Sequence, residues 1–180
     1  MPTHKLEKTM PRSANGLIQT LVTRNGPSYT MSLQGESHNY SILVASKHRA
    51  GKFDIRNDED QRQIIGSLVK AQPSRSAVCY SLTVGSQEAV VGSIRYEVPS
   101  VMEALSAPPR RAQVQVGTNN KNILVETKAP YSKGGGQFGL NFHCRGREPS
   151  RKNMQLQDSD GNVILQMVKW DKDRFHVDFK

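Results

Sequence analysis

Long apolar runs are what this sequence most plainly lacks. Nowhere do 18 consecutive apolar residues occur, which excludes a hydrophobic helix able to cross a bilayer alone. The first 15 residues, MPTHKLEKTMPRSAN, contain no apolar core of a secretory signal, so a soluble, unsecreted chain is expected. Cysteine is confined to Cys79 and Cys144, which form no CxxC pair and no disulfide framework. Both stand in apolar alternating runs and read as reduced core thiols of a cytosolic or nuclear protein. Aromatic residues make up only 6%, and no loop interleaves them with cations as a platform for single-stranded nucleic acid does. Phosphate-cradling P-loop and GxGxxG motifs are missing, and Gly134–Gly136 leads into strand-like sequence rather than a helix.

Catalytic groupings are missing too. His143 and Cys144 are adjacent, and on a strand adjacent side chains point to opposite faces, which prevents a thiol and base from pairing. The acids Asp58, Glu59 and Asp60 are flanked by Arg56 and Arg62 and read as a solvated loop rather than a metal site. The expectation is a non-enzyme with no catalytic residue, metal or cofactor. Asn39-Tyr40-Ser41 matches a glycosylation sequon, which carries no meaning in a chain that is not secreted.

What the sequence does have is positive charge and alternation. Lys and Arg number 25 against 16 acids, a net charge of +9 in 180 residues, which suits a polyanionic partner: a phosphate, a nucleic acid or an anionic lipid surface. Apolar residues are 36% of the chain and the mean hydropathy is -0.60, enough for one modest core. Residues 1–15 read as a flexible arm, and organised sequence begins at Gly16. From there short Val-, Ile-, Thr- and Tyr-rich segments recur between turn residues. They span 17–23, 29–33, 40–46, 52–56, 64–69, 77–83, 89–97, 112–117, 123–127, 138–144, 153–157, 163–168 and 174–179. Only 101–105 has a helical look. This spacing predicts an all-β, antiparallel barrel, with a sandwich as the alternative.

Two basic segments interrupt the strands. SKHRAGK places Lys47, Arg49 and Lys52 on one short turn without an acid, where several cations can converge on a phosphorylated headgroup. The competing reading is a solubilising hairpin tip. Arg145, Arg147, Arg151 and Lys152 form the second segment, and with Pro149 it reads as a wet connection that blocks edge pairing.

The last third resembles the carboxy-terminal domain of tubby-like proteins. The family pattern LNFHGR, a fixed spacer and SVKNFQL is matched by Leu140-Asn141-Phe142-His143-Cys144-Arg145 and Ser150-Arg151-Lys152-Asn153-Met154-Gln155-Leu156, and the correspondence continues through Gln166, Asp173, Phe175 and Asp178. Weaker matches at Tyr96, Glu97, Pro109, Arg110, Val114 and Val116, at Ile65-Gly66 and Leu68, and at 29–33 carry it to about residues 16–180. The resemblance implies a tubby-like barrel of about 12 strands that binds phosphatidylinositol 4,5-bisphosphate and tethers protein cargo or signalling complexes to the membrane. Its headgroup site corresponds to Lys47 and Arg49, assisted by Lys52. Where the family has a further arginine this chain has Val69, with Lys70 beside it. Family members continue beyond the position of Lys180 into an apolar helix that fills the barrel, so the expectation is a carboxy-terminally truncated domain lacking that central helix.

The family glycine is replaced by Cys144, and the alternation through Phe138, Leu140, Phe142 and Cys144 predicts that this thiol points inward. The functional expectation is a peripheral phosphoinositide-binding adaptor, cytoplasmic and at the plasma membrane, with nuclear or ciliary association also implied by the resemblance. A nucleic-acid or transcription-associated role is the alternative. A scramblase-like lipid protein, suggested by a related barrel, ranks last.

Overall fold

In the computed structural model, residues 16–35, 39–60, 62–71, 76–85, 89–100, 111–118, 121–134 and 137–180 are described. The arm at 1–15 and the helical-looking 101–105 lie outside them. Twelve antiparallel strands close into one barrel. They are β1 (Thr20–Asn25), β2 (Ser28–Gln34), β3 (Asn39–Lys47), β4 (Phe53–Asn57), β5 (Ile64–Lys70), β6 (Ala77–Val84), β7 (Ala89–Glu97), β8 (Ala112–Thr118) and β9 (Lys121–Thr127), then β12 (Met154–Gln157), β13 (Val163–Lys169) and β14 (Arg174–Phe179). Each pairs with its neighbour in sequence, β9 pairs with β12, and β14 returns to β1. A small hairpin of β10 (Tyr131–Gly134) and β11 (Gln137–Gly139) stands apart from the barrel. Apart from a three-residue 3-10 turn at Arg49–Gly51, no helix occurs among the described residues.

Register explains why the sheet closes. Residues directly opposite share a face, and alternate residues along each strand share it too. One face therefore carries Val22, Met31, Leu43, Ile55, Leu68 and Leu82 and continues through Ile94, Val114, Val125, Leu156, Met167 and Val177. The other carries mainly Ser, Thr, Gln, Arg and Asp. The continuous apolar face lines the bore, since closing the sheet shields more of it from water than an open sheet could. Its best-packed part is a cluster of Ala112, Val125, Met154 and Leu156 with Tyr96, Val114 and Met167 against it.

The two ends of the bore differ. Near one end the edge-on ring pairs Tyr29–Phe53 and Tyr80–Tyr96 crowd the interior. Toward the other, Tyr40, Val84, Val116 and Ile123 on the apolar face remain 46–61% exposed.

The expected strand 138–144 is corrected by the structure: it stops at Gly139. The Asn141 side-chain oxygen accepts from the His143 amide at 2.9 Å, and the Arg145 amide donates to the Phe142 carbonyl at 3.0 Å. That local bonding turns the chain away from the sheet. His143 and Cys144 consequently adopt positive φ, 49° and 63°. Cys144 is exposed rather than pointing inward.

The segment after it lies across the outer faces of β13 and β14, held by a buried polar network. Arg145 donates to both Asp178 carboxylate oxygens at 2.8 and 2.7 Å and to the Gln34 side chain at 2.6 Å. Gln166 donates to Asp178 at 2.9 Å, and Gln155 donates to the Asn141 carbonyl at 2.7 Å. Residues matched in the LNFH–R and KN–QL motifs thus fasten one segment to the barrel wall.

Candidate functional site

The turn from β3 to β4 is built to hold cations at the barrel rim. The His48 amide donates to the Lys52 carbonyl at 2.8 Å, closing the loop, and the Lys47 amide donates to the Pro27 carbonyl of the neighbouring β1–β2 turn at 2.9 Å. Between them Ala50 and Gly51 both have positive φ, 60° and 76°, a tight reversal in which glycine meets no steric penalty.

Asp54 anchors this turn from below. It is buried on the polar face, accepts from the Ser67 hydroxyl at 3.1 Å, and lies 3.0 Å from the His48 ring, 3.2 Å from Lys52 and 3.6 Å from Arg56. Desolvation pushes its carboxyl pKa up. The Lys52 and Ser67 hydrogen bonds and the charges of Lys52 and His48 outweigh that, holding it below the ordinary carboxylate value. Asp54 is thus an ionised strut that fixes Lys52 and His48.

The four cations expected at the site are therefore not equivalent. Lys47 and Arg49 are exposed and form no ion pair among the described residues. Lys52 is committed to Asp54. Lys70, the last residue of β5, approaches from a different strand. Lys47 pairs with Phe53, which pairs with Leu68, so Lys70 stands on the same face one alternate position further. Its stem crosses Gly51 so closely that a Cβ added there would lie 3.1 Å from Lys70 Cβ and 3.2 Å from its Cδ. The structure thus brings Lys70 to the turn despite its 18-residue separation from Lys52.

Chemically, two unpaired cations on a turn braced by Asp54, with Lys70 beside them, form an anion receptor. Arg offers a planar fork to phosphate oxygens and Lys a mobile point charge. His48 and Asp54 were not among the sequence expectations. Their signal was present only as a histidine inside SKHRAGK and an acid two residues beyond it.

The second basic segment serves another purpose. Arg145 is consumed by Asp178. Arg147 stacks over Trp170 with its guanidinium carbon 3.9 Å from the ring centroid, and the Lys152 ammonium lies 5.3 Å from the Phe175 ring centroid. Arg151 is exposed.

Residues 55–180 match the model of the Tub family, well over half of the chain. No curated protein matches it.

Proposed function

The chain belongs to the Tub family, a family of non-enzymatic domains known for phosphoinositide binding, and we propose that it is a peripheral adaptor that binds phosphatidylinositol 4,5-bisphosphate and tethers protein cargo or signalling complexes to anionic membranes. The observation that carries this reading is the rim turn. Lys47 and Arg49 are exposed and unpaired on a loop fixed by Asp54 and Gly51, with Lys70 laid against it. Lys47 and Arg49 contact the phosphates in this reading, Lys70 adds charge from the side, and Lys52 acts mainly by bracing Asp54. The site lies at the cytoplasmic leaflet of the plasma membrane, where that lipid's multiply charged headgroup offers the matching acceptor.

Liposome sedimentation tests it. Wild-type chain is expected to pellet with vesicles containing phosphatidylinositol 4,5-bisphosphate, and a Lys47→Ala/Arg49→Ala variant to stay largely in the supernatant. Equal binding by the two proteins removes the proposed site. A nucleic-acid role rests on the net charge of +9. A salt titration with duplex DNA separates it, because sequence-blind binding that collapses toward physiological salt reports charge attraction alone.

A further inference from the structure

We propose that the barrel docks end-on, pressing the rim that carries the β3–β4 turn against an anionic bilayer, with Trp170 as a second, interfacial contact. This rests on the membrane reading above and adds to it a docking face and an orientation.

In an up-and-down antiparallel barrel successive turns alternate between the two ends. The β1–β2, β3–β4 and β13–β14 turns therefore share one end, and the strand order makes them neighbours. Hydrogen bonds join them into a continuous arc: the Arg24 amide donates to the Asp173 carbonyl at 2.7 Å, and the Lys47 amide to the Pro27 carbonyl at 2.9 Å. Lys172, Arg24, Lys47 and Arg49 lie along that arc, all exposed, while of the two acids in the β13–β14 turn, Asp171 is paired with Arg174 and Asp173 flanks Lys172.

Among the described residues the opposite end is acidic on balance. Its β4–β5 and β12–β13 turns carry Asp58, Glu59, Asp60, Asp158 and Asp160, against Arg62 and, beside Asp158, Lys180. A molecule with an excess of cations at one end and of carboxylates at the other is turned in the field of an anionic surface, because each basic residue near the leaflet gains and each acidic one loses free energy.

Trp170 begins the β13–β14 turn at the basic end. It is half-buried, with one ring face against the Arg147 guanidinium and the His176 ring 4.7 Å away. An indole coupled to an arginine suits the headgroup zone, where the ring meets the acyl boundary and the cation meets phosphate. Neither Arg147 nor Lys172 has an acidic partner among the described residues, so both remain available to lipid.

Trp170 is the sole tryptophan of the chain, which makes it its own reporter. The full chain is mixed with phosphatidylcholine vesicles carrying phosphatidylserine and phosphatidylinositol 4,5-bisphosphate, and its emission is read with and without a quencher attached near the headgroup. The expected result is a blue shift with quenching in the sedimented fraction. A chain that sediments while Trp170 stays unshifted and unquenched docks by another face, which overturns the orientation and leaves the lipid reading intact. A chain that does not sediment overturns both. Charge reversals serve as an independent check. Lys172→Glu, an exposed change, is expected to weaken binding on the order of fivefold or more, and Asp160→Lys at the far end to change it by less than about twofold. Equal and opposite effects from the two variants would mean orientation-blind attraction and sink the proposal.

Discussion

Arg145 grips Asp178 through two parallel contacts, 2.8 and 2.7 Å, across 33 residues of sequence. Asp178 is fully buried and also accepts from Gln166 and from the Thr20 amide. An ion pair so enclosed is costly to break from one side, because the surviving charge keeps its desolvation penalty. Arg145→Met is therefore expected to destabilise by about 3–5 kcal/mol, read as a lower urea midpoint. Arg145→Lys should recover little, since an ammonium cannot span both carboxylate oxygens and Gln34 together. The Arg145→Met/Asp178→Leu double variant should cost clearly less than the sum of its parts.

The same segment sets a pH dependence. His176 is buried under the Arg145–Gly146 stretch, and its ring Nδ1 lies 2.7 Å from the Arg145 carbonyl. Burial pushes its pKa below the ordinary value. The contact with the Arg145 carbonyl opposes that, the Arg145 charge reinforces it, and Asp178 again opposes it. The folded state thus prefers neutral His176, whereas the unfolded chain takes up the proton near pH 6.5. Because the unfolded state binds more protons, stability is fully present above about pH 6.5 and falls as pH drops toward the lowered folded pKa. The urea midpoint at pH 5.5 is expected below that at pH 7.5, and His176→Gln should flatten the difference. Asp54, with its lowered pKa, contributes stability that is lost only at more acidic pH, outside this comparison.

Cys144 occupies a backbone conformation that favours glycine, with φ 63° and an exposed side chain. A non-glycine residue in this region costs about 1–2 kcal/mol, partly offset by the freedom glycine loses on folding. Cys144→Gly is therefore expected to raise stability by about 0.5–1 kcal/mol, seen as a higher thermal midpoint. The exposed thiol of the wild-type chain should react readily with a bulky maleimide while the protein remains folded. Protection of Cys144 would contradict the turn described here.

Legibility from sequence followed how local each interaction is. The β7 and β14 boundaries coincide with the alternating runs at 89–97 and 174–179 because those strands are marked by their own residues. The run at 138–144 misled because the alternation outlasts the strand, and an Asn141 side chain ends it. Tyr131–Gly134 carries little strand signal because YSKG has one strong strand former and ends in the first residue of a triple glycine. At the rim, Lys47, Arg49 and Lys52 could be grouped because they are adjacent in the chain. The position of Lys70 required the β3–β4–β5 register, and the fate of Arg145 required a partner 33 residues away. No period or turn signal carries that information.

Gly51 links the rim turn to Lys70 and offers the sharpest test of how the receptor is built. Its φ of 76° is strained for any other residue, and a Cβ there would press on the Lys70 stem at 3.1 Å. Gly51→Ala should therefore cost about 1–2 kcal/mol if the turn keeps its shape, or less if the turn opens and releases Lys70. The turn is exposed and tied to the barrel mainly by His48, Lys52 and Asp54, so opening is the easier route. The expected outcome is a small change in thermal midpoint with a larger loss of phosphatidylinositol 4,5-bisphosphate binding, approaching that of Lys70→Ala. Lipid affinity measured for Gly51→Ala, Lys70→Ala and the double variant gives the coupling directly. If the two single effects add fully, Gly51 does not position Lys70; if the double variant matches the worse single variant, it does.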